Sequence, residues 1–197
     1  VDILGRIILE NSKVKELCSE IYKKHKKAIN LIFNAKGDTQ KELQSFVKDK
    51  IKNGNYIIEE SSKGSGVKFI TFTTNTLSEK TKTNKNLSTL VFQFVNEPNS
   101  FRFTLSLRQG EDGNQLLSFM KREKKIFTSI KDNTKETKPK GTKVAYSKTI
   151  LKPVDYGRQG TVEEDRSELT KKIDKKWPSI VKKIQEIDEV FNNKWTN

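Results

Sequence analysis

Phe101, Phe103, Leu105 and Leu107 alternate with Arg102, Thr104, Ser106 and Arg108. A period of two gathers the four apolar side chains on one side of a strand, whereas on a helix it would scatter them around the axis. The pattern predicts a strand over 101–107 with one buried and one wet face, so another layer must cover the buried face. Leu87–Val95 is apolar enough to pair with it around a turn at Asn96–Ser100. Tyr56–Glu59 and Val67–Thr74 read as another hairpin about Ser61–Gly66. Val144, Tyr146 and Ile150 alternate again, adding a strand over Lys143–Leu151. Asn75–Asn86, Lys131–Lys143 and Val154–Val162 read as loops.

Other segments have helical spacing. Between Ser12 and Asn34, Val14, Leu17, Cys18, Ile21, Tyr22, Ala28, Ile29, Ile32 and Phe33 recur at three-four spacing. A turn at Lys36-Gly37 is expected next, followed by a capping box of Thr39 and Glu42. The second helix would bury Leu43, Phe46, Val47 and Ile51 and stop at Asn53-Gly54-Asn55. After a turn at Gly110–Asn114, with Asn114 as N-cap, Leu116, Leu117, Phe119, Met120, Phe127 and Ile130 outline a third helix. Thr161 and Glu164 offer another capping box, with Asp165 beside them. Beyond it Leu169, Ile173, Trp177, Ile180, Ile184, Ile187 and Phe191 mark a long final helix that Pro178 should kink or restart. Its four-three spacing suits a coiled-coil seam, although packing on its own sheet is the favoured use.

The fold class is therefore α+β: two N-terminal helices, an antiparallel sheet of about five strands, one helix between strands 4 and 5, and a long C-terminal helix. The expected division is a linker or upstream tail at 1–11, an α+β domain at 12–160, and a helix at 161–197 that packs on it or serves association. The chain begins with Val1, its single methionine is Met120, and Ile3, Leu4, Ile7, Ile8 and Leu9 look for an apolar partner. These features suggest a region of a longer protein.

Charge bears most directly on function. The formal net charge is +14 over 197 residues. Ten lysines and arginines against three acids give the stretch Lys121–Lys148 half of that excess. Such a field attracts polyanions. Lys121, Arg122, Lys124, Lys125, Lys131, Lys135, Lys138, Lys140 and Lys143 are the leading candidates for phosphate contact. Arg102 and Arg108 on the wet sheet face form a second candidate surface, and Lys41, Gln44 and Lys48 a third. Helix, helix and hairpin up to Thr74 loosely suit a winged helix, though their lengths fit poorly. Lysine contacts with phosphates imply affinity without sharp sequence choice.

No constellation reads as catalytic. Metal-dependent nucleases set an Asp and an E-x-K or D-x-K triplet on adjacent strand ends, where carboxylates hold Mg²⁺. The triplets here, Glu123-Lys124-Lys125, Glu136-Thr137-Lys138 and Asp174-Lys175-Lys176, fall on predicted helices or in a loop. Glu111-Asp112 is better placed to complement the following helix than to cage a cation. Cys18 and His25 are two turns apart on one helix, about 10 Å, too far for a nucleophile pair. Neither GxxxxGK[ST] nor GxGxxG occurs; Gly64-Ser65-Gly66 is a turn signal. No catalytic, cofactor-binding or metal-binding residue is nominated. The lone cysteine excludes an internal disulfide and makes a reducing cytoplasm the expected compartment. No apolar run is long enough to span a membrane.

The segment Val14-Lys-Glu-Leu-Cys-Ser-Glu-Ile-Tyr-Lys-Lys-His-Lys-Lys-Ala-Ile-Asn-Leu-Ile-Phe33 resembles a helix that follows the nuclease core in bacterial proteins of the PD-(D/E)xK superfamily. Lys68-Phe69-Ile70, Leu90–Phe94, Phe103–Leu107 and the turn at Gly110 fit the same pattern. The similarity extends over Val14 to Leu117, and the superfamily's Asp and Glu-x-Lys strands are missing from it. It implies a C-terminal accessory region, with catalysis and any Mg²⁺ belonging to an upstream core; the positive charge adds the expectation that this region binds DNA phosphates. The alternative is a protein-protein interaction module or homodimer using the C-terminal helix.

Overall fold

The alternating segment becomes β4 (Ser100–Leu107) of a five-stranded antiparallel sheet whose strands follow chain order. The others are β1 (Ile57–Glu59), β2 (Phe69–Thr73), β3 (Leu90–Glu97) and β5 (Lys143–Leu151). This computed structural model describes the backbone of residues 3–59, 68–81, 88–108, 113–130, 142–156 and 162–195, with side chains except at 3–12, 32–38 and 162–166. The expected turn at Ser61–Gly66, the Glu111-Asp112 pair and the capping box at Thr161, Glu164 and Asp165 lie outside that description, as do the side chains of Ile3, Leu4, Ile7, Ile8 and Leu9.

Register places the large rings on one face. Ile70 lies opposite Phe94, Phe72 opposite Phe92, Phe94 opposite Phe103, and Phe92 opposite Leu105. Phe94 is the centre, with ring centroids 5.2 Å from Phe103, 5.3 Å from Phe101 and 5.8 Å from Phe72. Helices cover this face. α1 is assigned from Ile3 to Asn53, and within it Leu43, Val47 and Ile51 are buried. α4 (Val162–Lys194) buries Leu169, Ile173, Ile180, Ile184, Ile187 and Phe191, and its Trp177 stacks on Phe94 at 5.8 Å. α3 (Gly113–Arg122) joins through Phe119, whose ring meets Phe191 and Trp195 edge-on at 5.2 and 5.1 Å. The architecture is α+β, with a long C-terminal helix.

The chain forms two compact units, Val1–Thr39 and Gln40–Asn197. The first is helical from Ile3, with non-helical backbone angles at His25 (φ −118°, ψ 22°). Its Val14, Leu17, Ile21, Tyr22 and Leu31 are exposed. The expected turn at Lys36-Gly37 is absent, because the backbone stays helical through it. One glycine costs a helix only about 1 kcal/mol relative to alanine, and Ala35 and Lys36 before it are good helix formers.

In the second unit, Asn53-Gly54-Asn55 does end the helix. Tyr56 N–H donates to Ile51 O and Asn55 N–H to Lys52 O, the paired bonds of a Schellman cap. Asn55 takes the left-handed conformation (φ 57°), while Gly54 is needed for space, since a Cβ there would stand 2.6 Å from the Tyr56 ring. Gln40 Nε2 donates to Asn96 O at 3.0 Å, and Asn96 Nδ2 returns a bond to Gln40 O at 2.7 Å.

Four further expectations need correction. The presumed loop after Thr74 contains a short helix, α2 (Asn75–Lys80), capped by the Thr74 hydroxyl, which accepts from Leu77 N–H. Six residues are too few to show helical periodicity. The third helix starts at Gly113, so Asn114 is inside it, and stops at Arg122; Phe127 and Ile130 are still buried, carried inward by turns tied to β5 through Ser129 N–H to Ala145 O. Of the two outcomes expected at Pro178, a restart does not occur: α4 continues through it, held by the apolar residues packed on either side. A five-stranded meander replaces the winged-helix outline. No helix among the described residues is long and apolar enough to cross a membrane.

Candidate nucleic-acid interface

The nominated cations occupy three separate settings. Lys121 and Arg122 form the last turn of α3, and Lys124 and Lys125 follow it on exposed turns. Past Arg122 the chain runs on in turns, with Glu123 N–H on the Phe119 carbonyl and Phe127 N–H on the Glu123 carbonyl, and Phe127 enters the core. Glu123, the one acid in this stretch, receives Lys194 Nζ on both oxygens at 3.0 and 2.9 Å. Lys194 is brought in by α4, so an acid flanked in sequence by four cations is matched by a fifth from another element. Lys143 opens β5, half-buried, opposite Leu107. Lys131, Lys135, Lys138 and Lys140 lie outside the described residues.

Arg102 and Arg108 are on the second sheet face, as the alternation requires, but that face is not wet. Thr71, Thr104 and Ser106 are buried there. Thr104 Oγ1 donates to Gln93 O at 3.3 Å, and Gln93 Nε2 donates to Thr71 Oγ1 at 3.2 Å. A polar-apolar pattern reads hydroxyls as solvent-facing, yet a hydroxyl bonded to the next strand is cheap to bury. Both arginines carry carboxylates: Arg102 meets Glu97 at 3.1 Å, and Arg108 meets Glu59. Their charge is therefore largely answered within the fold. On the third surface Lys41 is exposed, while Gln44 and Lys48 are half-buried.

The acids of the described triplets are used structurally. Glu123 pairs with Lys194, and Asp174 pairs with Lys50. Lys50 also lies over the Trp177 ring at 5.4 Å. Among the described residues no three of His, Cys, Asp and Glu gather closely enough to hold a metal ion. Cys18 is exposed. The apolar seam suggested for a coiled coil, Ile173, Ile180, Ile184, Ile187 and Phe191, is buried in the core of its own unit. Dimerisation through those side chains would require the core to open.

One half-buried acid has no signal in the sequence. Asp188 on α4 is half-buried and accepts the Thr74 hydroxyl at 2.6 Å. Burial raises its pKa to about 6, more than the Thr74 hydrogen bond lowers it. A carboxyl whose folded pKa exceeds its unfolded value of 3.8 stabilises the fold below that value, and the contribution is lost as pH rises through about 6. Two pK units correspond to about 3 kcal/mol, which partial exposure reduces to about 1–2 kcal/mol. Urea titrations should show Asp188→Asn matching the parent at pH 4 and exceeding it by that amount at pH 7. Parallel stabilities at both pH values would disprove the assignment. Asp155 shifts the other way: burial pushes it up, but the Lys172 ammonium, the Lys152 N–H and the Lys176 charge together hold it below the usual carboxylate range.

No family model matches this chain, and neither a curated protein nor a solved structure matches it.

Proposed function

We propose that the chain is an accessory nucleic-acid-binding region that grips DNA by its phosphates and leaves bond cleavage to residues outside it. The observation that carries this reading is the cationic end of α3. Cations in a last helical turn are commonplace, because they complement the helix dipole. Here the cluster continues past the helix on exposed Lys124 and Lys125, and Lys194 neutralises Glu123, the one acid in the sequence 121–125. Ammonium groups of this kind act as point charges on phosphate and favour backbone contact over base readout. The nuclease setting, any Mg²⁺ and a bacterial context rest on the resemblance of Val14–Phe33, and a cytoplasmic location rests on the lone Cys18.

Fluorescence anisotropy with a duplex oligonucleotide tests the reading. Log affinity should fall linearly with log salt, by about 0.9 for each phosphate neutralised. Arg122→Glu with Lys125→Glu should flatten that slope by about 1.8 and weaken binding at every sequence tried. Absence of duplex binding at low salt rejects the proposal outright.

A further inference from the structure

Lysines occur in adjacent pairs along α4: Lys171-Lys172, Lys175-Lys176 and Lys182-Lys183. In each pair the second member is tied down. Lys172 Nζ meets Asp155 at 2.7 Å, Lys176 Nζ donates to the Ile150 carbonyl, and Lys183 meets Glu186 at 3.1 Å while lying over the Tyr146 ring. The first member of each pair is exposed and makes no hydrogen bond or ion pair among the described residues.

Helix geometry aligns the three free ones. At 100° per residue, Lys175 and Lys182 fall within about 40° of Lys171, and the row covers about 16 Å. The buried seam of Ile173, Ile180 and Ile184 lies on the opposite side. Ser179, exposed between Lys175 and Lys182, accepts Lys148 Nζ from β5 at 2.9 Å, which brings a fourth cation to the longest gap. Asp174 and Glu186 beside the row are matched by Lys50 and Lys183, and Glu189 marks its far end.

We propose that Lys171, Lys175, Lys182 and Lys148 form a second phosphate track, along which α4 follows a nucleic-acid backbone. The exposed row reads Lys171, Lys175, Pro178, Lys182, Gln185, Glu189 and contains no aromatic or large aliphatic side chain. A protein partner needs an apolar centre, and stable seating on a membrane takes an apolar wedge or lipid chain besides charge. Stacking on bases needs a ring. Bare ammonium groups in a line suit the phosphates of a duplex and carry no sequence preference. The inference rests on the reading above and adds a contact surface distinct from the end of α3.

The test is a salt series of duplex binding by the parent chain and by Lys171→Gln/Lys175→Gln/Lys182→Gln. Three lost contacts should make the slope of log affinity against log salt shallower by about 2.7. The corresponding triple arginine variant should keep the parent slope, and all three proteins should melt together, since the side chains are exposed. Parent binding with an unchanged glutamine-variant slope overturns this inference and leaves the α3 reading standing. No parent binding overturns both. A triple variant that loses only binding to phosphatidylserine vesicles, with duplex affinity intact, also overturns it.

Discussion

Phe94→Ala should cost about 3–5 kcal/mol, the largest stability loss of any single truncation in the sheet. Phe94 is fully buried and packs against Phe72, Phe101, Phe103 and Trp177, so it joins three strands to α4. Removing the ring leaves a cavity walled by other rings, whose planar shapes collapse poorly into it. Domains of this size have about 5–15 kcal/mol in hand, so the variant should keep its fold at low temperature with a urea midpoint lowered by a molar unit or more. Phe94→Leu, which keeps most of the volume, should lose about 1–2 kcal/mol. Urea melts followed by far-ultraviolet circular dichroism decide the matter. An alanine variant within 1 kcal/mol of the parent would mean that the ring cluster does not centre the core.

The second large effect concerns Arg108 and Glu59. Glu59 is nearly buried on β1 and Arg108 follows β4, with β2 and β3 between those strands in the sheet. Glu59 also accepts the Ser88 N–H at 3.3 Å. Arg108→Met leaves that carboxylate without its cation in a poorly hydrated place. The full penalty for a broken buried pair is about 3–5 kcal/mol, and the partial exposure of Arg108 lowers it to about 2–3 kcal/mol. Adding Glu59→Leu should restore much of the loss, because an apolar pair needs no partner. A double-mutant cycle in urea measures the coupling directly; additive losses would show that the two side chains do not depend on each other. This arginine was a candidate for phosphate contact, and the cycle weighs its structural duty separately from any binding role.

Much of the sheet and the helical stripe of Leu43, Val47 and Ile51 could be read from spacing alone, because burial there follows the repeat of the backbone. The seam of α4 was legible for the same reason. Properties set by remote partners were not. Nothing local to Glu123 indicates that Lys194 will reach it, and nothing near Arg102 or Arg108 announces Glu97 or Glu59. Thr104 and Ser106 show how the polar-apolar distinction fails when hydroxyls bond across strands. The α4 lysines escaped notice because doubled lysines look like ordinary solvated surface; only the ties on Lys172, Lys176 and Lys183 separate anchored from free members. The departure at His25, in place of the one anticipated at Lys36-Gly37, has no signal in propensity, since lysine-rich sequence surrounds it.

The two tryptophans of the chain are both docked on the core but at different stations of α4. Trp177 lies against Phe94 beneath the Lys50 ammonium, and Trp195, just past the helix, rests on Phe119 while its indole N–H reaches the Lys80 carbonyl at 3.3 Å. Each is an intrinsic fluorophore in its own surroundings, one beside a positive charge and one bonded to a peptide oxygen. Replacing either by phenylalanine leaves a single tryptophan, so under tryptophan-selective excitation the detachment of each stretch of the helix can be watched without attaching a dye.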